Sequence, residues 1–100
     1  MTSAAGAMSP EQAQARLGQL SGWQIEQGKK LAKSYRFGNF VEAVDFVNTI
    51  TPVAEQQNHH PDLLVRWGEV RVELSTHSAN GLTDADFTLA AEIDDVAGKH

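Results

Sequence analysis

The strongest constraint on the fold is that short segments of the chain alternate between two apolar periods. Val70, Val72 and Leu74 alternate with polar side chains, which is typical of a strand with one buried face. Other segments repeat apolar residues every three or four positions, as amphipathic helices do. The resulting order is helix, two strands, helix, two strands, helix. It predicts an α+β domain with a four-stranded antiparallel sheet and three helices on one face of the sheet.

Each predicted helix begins at a capping signal. A residue that can cap is followed three positions later by an acid or an amide: Ser9 with Gln12, Asn39 with Glu42, and Thr83 with Asp86. Gly22 is the predicted end of the first helix. Pro52 lies within the second helix, where its missing amide donor predicts a kink, or a helix that stops early and restarts.

Two turns join the four strands into predicted hairpins. The first turn lies near Gln27–Lys29 and the second near Trp67–Glu69. In the strand after the first turn, Leu31 and Tyr35 share an apolar face that Lys33 interrupts. An antiparallel sheet of this size leaves an edge or an open face that needs cover. A second subunit would supply that cover.

Length and charge limit the domain and its partners. The chain has 100 residues, enough for one core, and we assign 9–98 to a single domain that follows a flexible arm at 1–8. A net charge of −5 argues against nucleic acid and anionic membranes as partners. There is no cysteine, no secretory signal and no apolar run long enough for a membrane span, which favours a cytoplasmic protein.

Three histidines flank the second hairpin: His59, His60 and His77. Because a hairpin returns the chain on itself, these side chains can meet in space, and imidazole exchanges protons near its ordinary pKa of about 6.5. Pro61 favours an extended His60, so the two neighbouring rings point in different directions and play different parts. If the strand continued past Ser75, its alternation would turn His77 away from the core.

The same residues also have plainer interpretations. A histidine is more often structural than catalytic, Asp86 can simply bond the start of a helix, Glu55 can be a solvated helix residue, and Trp67 can anchor a turn. A zinc site built from the three histidines and Glu55 is a further alternative. However, no two of the histidines have the i, i+4 spacing of a helical zinc motif, and adjacent histidines seldom converge on one ion. We therefore expect no metal.

Seven positions together resemble a family signature. It consists of an acid, His-His-Pro, an aromatic, a histidine and a later aspartate at fixed gaps, here Glu55, His59, His60, Pro61, Trp67, His77 and Asp86. This motif is similar to that of the pterin-4a-carbinolamine dehydratases, and the similarity extends over most of residues 20–96. The resemblance implies a domain of four antiparallel strands and three helices. It also implies a homodimer or homotetramer with sheets joined across subunits.

The resemblance further implies a reaction. Members of the family remove water from 4a-hydroxytetrahydrobiopterin (pterin-4a-carbinolamine) to give quinonoid dihydrobiopterin, without a cofactor or metal, and so recycle the pterin of aromatic amino acid hydroxylases. Such a hydro-lyase needs an acid for the leaving oxygen and a base for a ring proton, and neighbouring imidazoles can supply both. We assign proton transfer to His60 and His77. His59 then binds and orients the pterin, or shares the proton transfer.

The resemblance also assigns side chains to the pterin pocket. They are Glu55, Asn58, Pro61, Trp67, Ser75, Thr76, Ser78 and Asp86. Glu55 and Asp86 orient the histidines or hold the amino and amide edges of the ring. Asn58 stands where animal members often have an aspartate, which removes one potential charge. Two alternatives stay open: a non-catalytic dimerisation cofactor of a transcription factor, and a dehydratase-like protein that serves the pterin of the molybdenum cofactor.

Overall fold

The computed structural model describes residues 6–98, and it confirms the predicted order of helices and strands. The elements are α1 (Pro10–Leu17), β1 (Gln24–Glu26), β2 (Lys30–Arg36), α2 (Phe40–Gln57), β3 (Asp62–Arg66), β4 (Glu69–Leu74) and α3 (Asp84–Gly98). A short 3₁₀ turn at His77–Ala79, which the sequence did not indicate, lies between β4 and α3. Residues 1–5 of the predicted arm lie outside the described residues.

The four strands form one antiparallel sheet in the order β1-β2-β4-β3. Each predicted hairpin pairs its own two strands, and β2 pairs with β4 between the hairpins. Val70 lies opposite Tyr35 in β2 and opposite Val65 in β3, so these three side chains share one face of the sheet. The edges of the sheet are therefore β1 and β3.

The helices bury one face of this sheet. Leu31 and Val72 of the sheet, Phe46 of α2, and Leu89 and Ile93 of α3 are all fully buried in one apolar cluster. This core lies between the sheet and the helices, as the apolar periods of the sequence predict. None of the helices among residues 6–98 is long and apolar enough to cross a membrane.

Lys33 interrupts the apolar face of β2, and the structure shows how its charge is satisfied. Its ammonium group donates to the Asp94 carboxylate at 2.7 Å and to the Ser21 carbonyl at 2.8 Å. Asp94 also accepts hydrogen bonds from Trp23 Nε1, at 2.9 Å, and from the Tyr35 hydroxyl. Burial, together with the adjacent Asp94 carboxylate, raises the pKa of Tyr35 far above its ordinary value. Asp94 thus connects α3 to the first hairpin.

The capping residues begin the helices as predicted, but the predicted end of α1 is wrong. The Ser9 hydroxyl accepts from the Gln12 amide at 3.2 Å, and the Gln12 side chain accepts from the Ser9 amide at 2.9 Å, which completes a capping box. Asn39 accepts from the Glu42 amide at 2.9 Å at the start of α2. Helix α1 stops well before Gly22, which lies with a φ of 84° in the connection to β1.

Helix α2 runs unbroken through Pro52, so the predicted early stop and restart are wrong. Proline lacks the amide that would donate to the Asn48 carbonyl one turn earlier. On the core side of the helix, Phe46, Ile50 and Ala54 are buried, while Pro52 itself is exposed. Packing of the buried side therefore maintains the helix across the missing hydrogen bond.

Met8, at the end of the predicted arm, contacts the domain. Its amide donates to the Leu82 carbonyl at 2.7 Å, and its side chain packs against the core cluster. Beside it, Ala7 lies so close to Gly81 that a Cβ on the glycine would come within 2.6 Å of the alanine Cβ. The last residues before α1 therefore lie against the connection that leads into α3.

The open face of the sheet carries a network of charged side chains. Arg71 donates to both carboxylate oxygens of Glu26, at 2.6 and 2.7 Å, and to Glu73 at 2.9 Å. Lys30 donates to the other Glu73 oxygen at 3.1 Å. Two hydrogen bonds hold the pKa of Glu73 below its ordinary value. The one from Arg71 has the larger effect and the one from Lys30 the smaller. Ala32, which lies opposite Glu73 in the sheet, is only 2% exposed.

We predict that Pro52→Ala raises the free energy of unfolding by about 2–3 kcal/mol, because alanine restores the amide donor and has the highest helix propensity. Urea unfolding followed by far-ultraviolet circular dichroism measures the change. Pro10→Ala is the matched control, since Pro10 occupies the start of α1, where no amide donor is missed. A Pro52→Ala variant that gains no more stability than Pro10→Ala would contradict the prediction.

A second prediction concerns the pH dependence of stability. Because the folded-state pKa of Glu73 is lowered, its contribution is complete above the ordinary glutamate pKa of about 4.3 and disappears as pH falls through the lower folded-state value. Wild-type protein should therefore lose more stability between about pH 5 and pH 3 than Glu73→Gln does. Glu69→Gln, on the same strand and face, removes a carboxylate without a described ion-pair partner and should keep the wild-type profile. Equal losses in wild type and Glu73→Gln would disprove this.

Candidate active site

The end of α2 sets the position of the two adjacent histidines. Asn58 adopts a left-handed conformation with φ 51° and ψ 41°, which asparagine tolerates better than most residues. The Asn58 amide donates to the Glu55 carbonyl and the His59 amide to the Ala54 carbonyl, each at 3.1 Å, which is a Schellman helix end. The chain then leaves the helix at once, into the pair His59 and His60. The structure therefore gives Asn58, a predicted substrate contact, a role in ending the helix.

The ring of His59 is bound to a buried carboxylate. His59 Nε2 lies 2.6 Å from Asp86 Oδ1, and Asp86 is fully buried in the first turn of α3. The other oxygen, Oδ2, accepts from the Thr76 hydroxyl at 2.8 Å and from the Thr83 amide at 2.9 Å. With the carboxylate as acceptor, Nε2 is the donating nitrogen of His59, and Nδ1 remains for another partner. The side chain of His59 is 15% exposed, so the ring is fixed but reachable.

The ring of His60 has a different environment. His60 Nε2 lies 2.6 Å from Glu55 Oε2, and the side chains of His60 and Glu55 are 56% and 68% exposed. His60 also lines a depression of about 120 Å³ together with Pro61 and Leu63. The two neighbouring imidazoles therefore have different carboxylate partners and different exposure to water, as expected if they play different parts.

His77 lies just beyond the end of β4. The strand stops at Leu74, so strand alternation does not determine where His77 points. Thr76 and Gly81 then form an isolated antiparallel bridge, with backbone hydrogen bonds of 2.8 and 3.3 Å. The 3₁₀ turn at His77–Ala79 lies inside this bridge. The exposed His77 lines a depression of about 260 Å³ with Lys29, Ser75, Thr76, Asn80 and Gly81.

Asp86 brings the predicted site residues of two segments together. The His59 ring and the Thr76 hydroxyl bind opposite oxygens of its carboxylate, and Thr76 immediately precedes His77. His60 and His77 line separate depressions that share no lining residue. Of the other predicted contacts, Pro61 and Ser75 are half-buried and Ser78 is exposed.

Trp67 lies at the other end of the second hairpin from the histidines. It is 69% exposed in the turn between β3 and β4, and it lines a depression of about 320 Å³ with Arg36 and Arg66. The five residues of β3, about 16 Å of extended chain, separate it from His60. Within a single chain, the structure therefore does not bring Trp67 to the other predicted site residues.

Sequence reasoning missed the part that Thr83 plays at the site. Its hydroxyl lies 2.8 Å from the Thr76 hydroxyl, and its amide donates to Asp86. The capping pattern of Thr83 and Asp86 did indicate that amide contact, but only as the start of a helix. Among residues 6–98, no three histidine, aspartate or glutamate side chains converge as a group that could hold a metal ion.

Comparison with known proteins identifies related chains. The family profile described as pterin 4 alpha carbinolamine dehydratase matches residues 6–96. A protein of Sulfolobus acidocaldarius is 48% identical over 81 residues, which is 81% of this chain and 88% of that protein. A protein of Rubrobacter xylanophilus is 47% identical over 76 residues, which is 76% of this chain and 71% of that protein. Both are named provisionally as pterin-4-alpha-carbinolamine dehydratases.

Two solved structures share the fold. One, from Brucella melitensis, is described as a transcriptional coactivator/pterin dehydratase; it has a TM-score of 0.87 and 31% identity, and the match covers 93% of this chain and 100% of that one. The other is described as a pterin dehydratase-like protein identified as a RuBisCO assembly factor in the alpha-carboxysome. It has a TM-score of 0.64 and 26% identity, with coverage of 77% of this chain and 90% of that one.

The hydrogen bonds of Asp86 lead to a prediction about stability. Asp86→Asn keeps the volume of the side chain but replaces one acceptor oxygen with an NH₂ donor, which then faces a donor in the buried site. We expect the free energy of unfolding to fall by about 1–3 kcal/mol in a urea titration. Asp84→Asn, an exposed acid in the same helical turn, should change it by less than about 1 kcal/mol. Equal stability of the two variants would contradict this account of the site.

Proposed function

The chain belongs to the pterin 4 alpha carbinolamine dehydratase family, and from this premise we propose that it removes water from 4a-hydroxytetrahydropterins to give quinonoid dihydropterins. The observation that carries the proposal is the buried Asp86 carboxylate, which binds the His59 ring and, through Thr76, the segment that bears His77. The exposed imidazoles of His60 and His77 belong to the segments that Asp86 joins, and we propose that a flat heterocycle contacts both of them. The proposed substrate is a reduced pterin, and its dehydration involves neither oxidation nor reduction.

The reaction needs two proton transfers. Loss of the 4a-hydroxyl group as water requires an acid at the leaving oxygen, and formation of the quinonoid ring requires a base for a ring nitrogen proton. We assign these transfers to His60 and His77, whose exposed rings can exchange protons with both substrate and water. The two rings differ in their surroundings, since His60 has Glu55 as its partner and His77 lines a separate depression.

His59 fits a positioning role better than proton exchange with water. Its ring is largely buried, and its Nε2 is committed to Asp86. This bond fixes the plane of the ring and leaves Nδ1 as the atom that can contact a pterin. Asp86 therefore acts on the substrate through His59, and Glu55 acts through His60.

A non-catalytic binding role is the second candidate. It is favoured by the two solved relatives whose descriptions include a transcriptional coactivator and a RuBisCO assembly factor. The site itself favours chemistry, because a buried carboxylate bonded to an imidazole is an arrangement often found at catalytic sites. We extend the proposal to self-association, and to a supply of substrate by an aromatic amino acid hydroxylase in the same cell.

We predict that His60→Ala and His77→Ala each lower the turnover number for dehydration of 4a-hydroxytetrahydrobiopterin by about 10²–10⁴-fold, the usual contribution of one acid–base group. Stopped-flow absorbance of freshly generated substrate measures the rate. Glu55→Gln, which keeps His60 in place but removes its carboxylate partner, should have a smaller effect. Because His60 and His77 are exposed, the alanine variants should fold normally. Near wild-type turnover in both folded variants would refute the proposed mechanism, and no turnover in wild type would favour the binding role.

A further inference from the structure

Lys29 differs from most of the basic side chains in the described chain. Four others form ion pairs with carboxylates: Arg16 with Asp84, Lys30 with Glu73, Lys33 with Asp94, and Arg71 with Glu26 and Glu73. Within residues 6–98, the only basic side chains without a carboxylate at ion-pair distance are Lys29, Arg36 and Arg66. The chain has a net charge of −5, so acidic side chains outnumber basic ones. A basic side chain that forms no ion pair with them is available to bind an anionic ligand.

The position of Lys29 is set by the tight turn of the first hairpin. Gln27 and Gly28 have φ angles of 55° and 69°, the pair of left-handed residues that a type I′ turn requires. The Lys29 amide closes the turn by donating to the Glu26 carbonyl at 3.0 Å. The first hairpin therefore fixes the backbone of Lys29 at the end of the sheet where His77 lies.

Lys29 and His77 line the same depression, of about 260 Å³. The other unpaired cations, Arg36 and Arg66, line a different depression beside Trp67, at the opposite end of the second hairpin. Among the unpaired lysine and arginine side chains of residues 6–98, Lys29 is thus the one that lines a depression together with a residue to which we assign proton transfer. A pterin ring is uncharged near neutrality, so the ring itself offers this ammonium group no ionic partner.

We propose that Lys29 binds an anionic group, a phosphate or carboxylate, on the substituent of the pterin. The inference rests on the proposed function, since it assumes that the ring lies beside His77. The natural substrate is then a reduced pterin with an acidic side chain, and Lys29 determines specificity without taking part in the proton transfers. Because the ammonium group is exposed, the expected preference is modest, about fivefold, and it weakens as salt screens the charge.

The test compares two probes that share ring and carbon skeleton: 7,8-dihydroneopterin and its monophosphate. Dissociation constants come from the change in pterin fluorescence, at low salt and at about 0.5 M sodium chloride, where screening is strong. Wild-type protein should bind the phosphorylated probe about fivefold more tightly at low salt. Lys29→Ala should remove this preference without changing the affinity for the neutral probe, and Lys29→Arg should retain it. Arg66→Ala is the matched control, because it removes an unpaired cation from the other depression.

The outcomes separate this inference from the proposed function. Equal affinity of wild type for the two probes, or a preference that survives in Lys29→Ala, would overturn the role of Lys29 while leaving the dehydratase proposal intact. A preference lost equally in Arg66→Ala and Lys29→Ala would show a general charge effect and also overturn it. Failure of wild type to bind either probe would count against a pterin site altogether, and both proposals would fall.

Discussion

The buried carboxylate of Asp86 is the interaction on which both the fold and the candidate site depend. A carboxylate that is buried away from water is stable only when hydrogen-bond donors surround it. Here the donors come from three segments: the His59 ring after α2, the Thr76 hydroxyl after β4, and the Thr83 amide at the start of α3. The same contacts that join these segments fix the His59 imidazole of the candidate site. A change at Asp86 would therefore affect both the packing and the candidate site.

The sequence predicts the fold well where local and tertiary preferences agree. Alternation in β4 and the capping residues at the helix starts gave the correct elements, since burial and hydrogen bonding favour the same choice there. At Pro52 the local and tertiary preferences disagree: the local rule predicts a kink, or an early stop and restart, and burial of Phe46 and Ile50 keeps α2 continuous. The predicted end of α1 was also wrong. Leu20 continues the apolar period of the helix in the sequence, but it packs against the core from a non-helical segment.

The members of the candidate site stay a prediction from the sequence, and their geometry could be anticipated only in part. The return of the hairpin predicts that the segments of His59 and His77 lie close together, and in the structure His59 and Thr76, the residue before His77, both bond to Asp86. Which residue joins them could not be read from the chain, because Asp86 has two roles at once: one of its oxygens bonds the Thr83 amide, as a helix start requires, while the other binds His59. A capping pattern reveals only the first of these roles. The 3₁₀ turn that carries His77 has no strong local signal either.

The different surroundings of the two adjacent imidazoles follow from how the chain leaves α2. Asn58 in its left-handed conformation ends the helix abruptly, and Pro61 keeps the next backbone step extended, so successive side chains point to different sides. His59 then turns toward the buried Asp86, and His60 turns back toward the exposed Glu55. A helix end thus gives the two adjacent histidines unlike surroundings, since His59 bonds a buried carboxylate and His60 an exposed one.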